Sequence, residues 1–363
     1  MKSLYTYFGL LDLHFTDTPG HNLYQLGLID SIANEYGQEK FDFFSYYPEE
    51  DMPDRKPGLS GFPNCLHSNI FIKYFEKRID KYLIGLTEMF SNVSEKKYDK
   101  LFLKARFRNL STLSKKWKDA RTFELLITTA IEAGYSKEEI IILDTDLSLS
   151  HHFTTKYEEF VTIVIPSIDF PGISSDFLEE CIAVNVENWD EKHDGLCTVY
   201  YGNINTSNYK KGNQKNEILG DAIRHIEKMN DGKEDALSLI CKREDYEGAI
   251  LHPDANRNLH IERYDRQIIF GTLLASNVML NVTKDKYDNH KFVPARIYEA
   301  LIFGLIPVSY KFEFMSTAFS FNNIEDLEEI YLYFKECSKE DMLTNYKAFI
   351  KSFIKAKPFT NNN

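Results

Sequence analysis

No run in the 363 residues approaches the roughly 20 consecutive apolar positions that a membrane-spanning helix needs. The apolar opening MKSLYTYFGLLDLHF has no small-residue cleavage site behind it. Both absences predict a cytoplasmic protein with no membrane partner. Cysteine is scarce as well. The five, Cys65, Cys181, Cys197, Cys241 and Cys337, are odd in number, far apart and without a C-x-x-C pair, which excludes a disulfide framework and a thiolate zinc site. There is no repeat of solenoid length and no low-complexity tract. The G-x-x-x-x-G-K-[ST] spacing of a P-loop is missing too, which argues against a nucleoside triphosphatase.

What is present is enough apolar material for more than one core. A chain of this length with 43% hydrophobic residues predicts two domains. The net charge of −12 excludes nonspecific coating of nucleic acid. The charge is segregated, however. Between Lys73 and Arg121 stand 14 Lys and Arg against 6 Asp and Glu, a distribution that can still guide a polyanion to one face.

Apolar and β-branched runs alternate with helical patterns in both halves, the signature of parallel sheets covered by helices. In the first half strands are predicted at 4–10, 41–47, 100–103, 140–143 and 160–165. Helices are predicted at 23–37, 72–90 and 119–134, the last capped by Asp119 and ended by Gly134. The breaker-rich segment PSIDFPGISSD marks the crossing between domains. The second half restarts with strand 196–201, helix 216–229, strand 237–242, an irregular stretch through 252–265 and a helix containing QIIFGTLLAS. Strands 277–281 and 306–310 follow, and 324–354 reads as one helix. Two such domains predict a ligand site at the carboxyl ends of their strands.

The chemistry concentrates in DKYDNHKFVPARIYEALIFGLIPVS, from Asp285 to Ser309. Arg296 and Glu299 are three positions apart at the start of a helix opened near Pro294 and ended by Gly304, so they share a face. That face is the positive end of the helix dipole, where phosphate is favoured. Arg296 can bind a pyrophosphate and Glu299 can accept hydrogen bonds from both hydroxyls of a ribose. A second hand for a diphosphate is the loop YGNINTSNYKKGNQKNE after strand 196–201, with Lys210, Lys211 and Lys215 around Gly212. In IIILDTDLSLSHHF an apolar strand runs into Asp144, Thr145 and Asp146. An acidic residue there can serve as a general base, for which Asp146 is the candidate, or can cap the next turn. His151 and His152 follow, and the loop FTDTPGHNLYQLG adds His21, Asn22 and Gln25 to the same predicted edge.

These segments resemble the bacteriophage DNA glucosyltransferases of the two-domain, metal-independent type, specifically the β-glucosyltransferases acting on 5-hydroxymethylcytosine. The family's segment DKxYNDxFxxxRxxExxxxxxV is matched closely by Asp285, Lys286, Asn289, Phe292, Arg296, Glu299 and Val308 or its neighbours. Its YGGSxRSGQR loop is met by Tyr201, Gly202 and a longer loop ending Lys211-Gly212-Asn213-Gln214-Lys215, with lysines for arginines. Its catalytic TDxxL context is similar to Thr145-Asp146-Leu147-Ser148-Leu149, and its uracil-holding GKI to Leu259-His260-Ile261.

The resemblance implies a GT-B fold, two Rossmann-like domains facing one another. The first, for the DNA acceptor, would span 1–172 and be completed by 343–363 through a helix crossing back; the second, for the UDP-sugar, would span 173–342. It also implies a monomeric enzyme of an infected host's cytoplasm, working on double-stranded DNA that contains 5-hydroxymethylcytosine. The donor would be UDP-glucose or UDP-arabinose, with no essential divalent metal. Asp146 is then the base, and Arg296, Glu299, Lys211, Lys215, Ile261 and Gly202 hold the donor. His21, Asn22, Lys104, Arg106, Arg108 and His151 contact acceptor or DNA phosphates. Three other readings stay open: a glycan or lipid acceptor, a manganese site built on the Asp144-Thr145-Asp146 pattern, and a binding module without turnover.

Overall fold

The computed structural model describes residues 2–8, 41–45, 84–105, 115–144, 155–163, 175–192, 194–201, 214–229, 237–240, 260–262, 266–282, 295–311 and 319–351. Residues 2–163 of this set belong to one compact unit and 175–351 to another. Each unit is built on a parallel sheet.

In the first unit β1 (Ser3–Phe8), β2 (Phe41–Ser45), β3 (Lys100–Ala105), β4 (Ile140–Asp144) and β5 (Val161–Ile163) form a sheet of order β2-β1-β3-β4-β5. That is the doubly wound order of flavodoxin-like sheets, with its switch point between β1 and β3. Two described helices, α1 (Leu86–Ser94) and α2 (Lys115–Glu132), pack on each other and on one face. There Leu4, Leu101, Leu103, Ile140 and Ile142 meet Met89, Val93, Phe123 and Ile127. The apolar strands are continuous rather than alternating because both faces of a parallel sheet are covered. The expected helix over 72–90 is interrupted: Gly85 is extended and α1 begins after it, while 72–83 lie outside the described residues. Asp119 does not cap α2, which starts four residues earlier. Gly134 does end it, at φ +81.

The second unit places β6 (Thr198–Tyr201), β7 (Leu237–Ile240), β8 (His260–Glu262), β9 (Val278–Asn281), β10 (Ile306–Tyr310) and β11 (Phe319–Phe321) in the order β11-β10-β9-β6-β7-β8. Counted from its own first strand this is 3-2-1-4-5-6 read from the other edge, the dinucleotide-binding arrangement, whose switch point falls between β6 and β9. Its described helices are α3 (Ser175–Glu187), α4 (Gln214–Met229), α5 (Arg266–Ala275), α6 (Ala295–Ile302), α7 (Ile324–Glu336) and α8 (Lys339–Lys351). The stretch 252–265, expected to be irregular, contains β8. The single helix expected over 324–354 is two. Cys337 is extended, and Ser338 and Asp341 cap α8 reciprocally, each side chain accepting the other's backbone N–H.

Residues 343–363 were expected to complete the first domain. Over its described length α8 belongs to the second unit, and residues 352–363 lie outside the described residues. Tyr346 stacks on Trp189 with centroids 5.4 Å apart and donates to the Leu301 carbonyl, while the Trp189 indole donates to the Lys339 carbonyl. The physical reason is the size of the apolar face: Met342, Tyr346, Phe349 and Ile350 are all buried there. No described helix is long and apolar enough to cross a membrane.

Candidate functional site

The short helix α6 reads ARIYEALI and is apolar nearly all round, so it is buried nearly all round; Ile297, Tyr298, Ala300 and Leu301 are each 0% exposed. Eight residues are too few for a helix to hold itself in water. Its position comes from what fastens its end. Gly304 adopts φ +70, with Gly304 N–H donating to Leu301 and Leu305 N–H to Ala300, a Schellman closure.

Three side chains then take up the last carbonyls. Asn185 Nδ2 donates to Leu301 and Ile302, Tyr346 donates to Leu301, and Lys192 Nζ donates to Phe303 at 2.9 Å. Lys192 also donates to the carbonyls of Leu274 and Ser276 at the end of α5, joining two helix C-termini where a cation is favoured. It is only 7% exposed and its Nζ stands 5.5 Å from the Trp189 ring centroid. Burial pushes its pKa down to about 7.

The other end of α6 carries the sequence motif. It follows β9 in the chain, on one side of the β6/β9 switch point. Arg296 is part-exposed and its Cζ lies 5.2 Å from the ring centroid of Tyr200 on β6. The helix therefore reaches across the switch point. Glu299, one turn on, is 1% exposed. A carboxylate in an otherwise apolar helix is costly to bury unless it is partnered. Near the same carboxyl ends Asn281 on β9 is 1% exposed and donates from Nδ2 to Ser309 Oγ on β10 at 3.3 Å. Asn281 Oδ1 and the Tyr200 hydroxyl are buried with no hydrogen-bond partner among the described residues. The first N–H groups of any helix also lack intrahelical partners. A guanidinium, a helix start and a carboxylate one turn later suit an anionic group joined to a diol.

Ile261 lies mid-way along β8, an edge strand separated from β6 by β7, and pairs with Leu239. Lys215 lies in the first turn of α4. Asp144 ends β4 and is 3% exposed. Asp146, His21, Asn22, Arg106, Arg108, His151, Gly202 and Lys211 lie outside the described residues. Lys104, expected to lie along DNA phosphates, stands in the central strand β3, paired with Tyr7 and Leu143, and is 4% exposed. An ammonium so enclosed is not part of an open basic surface.

No local pattern in the sequence singles out Tyr200, Asn185 or Lys192. Tyr200 reads as one more core aromatic, and Lys192 sits in the polar NWDEKHDG, which looks like a solvated loop. Asn281 carried a usable signal, a polar residue closing an apolar strand.

No family model matches the chain, and no curated protein does. Among solved structures it is similar to "Trehalose-6-phosphate from E. coli bound with UDP-2-fluoro glucose" (10% identity, 98% of this chain and 96% of that one, TM-score 0.45). It is similar also to E. coli ADP-heptose lps heptosyltransferase II (10%, 97% and 99%, TM-score 0.35). A third is T4 phage BGT in complex with UDP and Mn2+ (13%, 97% and 99%, TM-score 0.47). At such identities and scores the likeness assigns no activity to this chain.

Proposed function

We propose that this protein is a UDP-sugar-dependent glycosyltransferase whose donor is held at the β6/β9 switch point of the second unit. The observation that carries the reading is Arg296 at the start of α6, seated over Tyr200 of the neighbouring strand, with Glu299 one helical turn further on. A planar guanidinium at a helix start suits a diphosphate, and a carboxylate one turn away suits the ribose hydroxyls. Lys211 and Lys215, on the segment after β6, would add charge around the same phosphates, while Gly202 and Ile261 would line the nucleoside. The resemblance to phage DNA glucosyltransferases supplies the acceptor, the hydroxymethyl group of 5-hydroxymethylcytosine in DNA.

Asp146, which follows β4, would take the hydroxyl proton. The oxygen then attacks the anomeric carbon, the bond to the diphosphate breaks, and UDP leaves with its charge against Arg296. The base must leave the duplex stack, at about a few kcal/mol. Arg106, Arg108, His21, Asn22 and His151 remain the candidates for holding DNA; the burial of Lys104 removes it from an open phosphate-binding surface. A divalent metal is not needed in this reading, and turnover in excess chelator tests that.

Incubation with UDP-glucose, UDP-arabinose and related donors, plus DNA containing 5-hydroxymethylcytosine, should yield a glycosylated nucleoside by mass spectrometry. Transfer only to sugar or lipid acceptors would favour the second reading, which the net charge of −12 supports. UDP-sugar bound but never turned over with any acceptor would leave a binding module. Asp146→Ala should retain UDP binding and lose transfer; retained turnover would remove Asp146 from the base role.

A further inference from the structure

Tyr200 has no part in the reaction just described, yet it is the residue on which Arg296 rests. Its strand β6 is interior to the sheet, paired with β7 on one side and β9 on the other. Its ring is 0% exposed. Such a ring is a fixed platform, because moving it would require moving the strand. Its hydroxyl is buried with no hydrogen-bond partner among the described residues, so the phenol oxygen adds nothing visible to the fold. What the ring offers is its face, with the Arg296 guanidinium carbon 5.2 Å from the centroid. Arginine is long and rotamer-rich, but its planar group stacks on aromatic faces while keeping its N–H edges available. A guanidinium over such a ring is restrained before a ligand arrives, and its planar fork suits two phosphate oxygens together.

Resting on the donor-site reading above, we propose that Tyr200 is a positioning residue that preorganises Arg296 for the diphosphate of the donor, leaving recognition of the nucleoside to Glu299 and its neighbours. The consequence is a split between ligands. Loss of the ring weakens a ligand only in so far as that ligand carries phosphate.

The test is calorimetric titration of UDP and of uridine into wild type, Tyr200→Phe, Tyr200→Met and Arg296→Met. Tyr200→Phe keeps the aromatic face and should match wild type for both ligands. Tyr200→Met should weaken UDP by about five- to tenfold, the range of a partly desolvated cation–π contact, while uridine binding stays within twofold. That unchanged uridine affinity also shows that the variant is folded. Combining Tyr200→Met with Arg296→Met should cost no more UDP affinity than Arg296→Met alone.

If Tyr200→Met binds UDP as wild type does while Arg296→Met does not, the positioning role is wrong and the donor site stands. Equal loss of UDP and uridine in Tyr200→Met would also overturn it, marking Tyr200 as merely structural. Should Tyr200→Met fail to fold, Tyr200→Leu and the side-chain NMR signal of Arg296 take its place. That signal should carry a ring-current shift in wild type and Tyr200→Phe, and an unshifted signal in both would contradict the proposal. Wild type that binds neither ligand would instead bring down the donor-site reading itself.

Discussion

Helices α2 and α6 end in the same way and are held in different ways. Both close on a glycine in the left-handed region, Gly134 at φ +81 and Gly304 at φ +70. Both make the same pair of backbone bonds, Gly134 to Ile131 with Tyr135 to Ala130, and Gly304 to Leu301 with Leu305 to Ala300. Around Gly134 nothing lies within 4 Å of where a Cβ would stand; around Gly304 the Lys192 Cε would be 2.9 Å away and Asn185 Cγ 3.1 Å.

The difference follows from length. With 18 residues α2 has many intrahelical bonds and needs only a local stop, while α6 has 8 and depends on tertiary fastening. The helix that carries Arg296 and Glu299 is therefore anchored at the end away from those residues, which fixes where its first turn points. A site that must meet a ligand without rearrangement gains from such anchoring.

The largest predicted effect exploits that contrast. Gly304→Ala should destabilise the protein by about 3 kcal/mol, the left-handed penalty added to overpacking. Gly134→Ala should cost about 1 kcal/mol, the backbone penalty alone. Denaturant midpoints compare the two directly, and equal losses would mean that α6 is not specially clamped. Next comes Asn185→Leu, which keeps volume and withdraws the amide from the Leu301 and Ile302 carbonyls. A loss of about 2 kcal/mol is expected, accompanied by weaker UDP binding, since the first turn of α6 would no longer be fixed. A stability loss with unchanged UDP affinity would separate the clamp from the site.

The smallest effect concerns Glu227, on α4. Burial raises its carboxyl pKa to about 7, against a weaker downward pull from Arg224, and its Oε1 has no hydrogen-bond partner among the described residues. The folded state then holds more protons than the unfolded one between pH 4.5 and 7, so stability falls as pH rises through that window. Glu227→Gln imitates the protonated form. It should raise the melting temperature at pH 8 and leave it unchanged at pH 4; a gain of equal size at both pH values would rule out titration as the cause.

Much of the fold could be read from the chain because buried parallel strands announce themselves as unbroken apolar runs, as in IIILD and VMLN. The short strands β8 and β11 could not be, since HIE and FSF have too few residues to show a period. The division between α7 and α8 is marked by the Ser338 and Asp341 spacing, but the continuing amphipathic pattern masks it. In the proposed site, Arg296 and Glu299 stand out in the sequence because both lie within one turn and between a proline and a glycine. Tyr200 and Lys192 stayed hidden because their roles depend on residues about a hundred positions away, across contacts that no local pattern encodes. Lys104 misled for the opposite reason: its neighbours Arg106 and Arg108 suggest a basic surface, whereas its own strand buries it.

Whether Arg296 and Glu299 hold the donor is decided by titration of UDP into wild type, Arg296→Met and Glu299→Gln. Wild type should bind tightly, with about a tenfold or greater loss in each variant, the range for one charge-assisted hydrogen bond. UDP bound equally well by all three proteins would contradict that role.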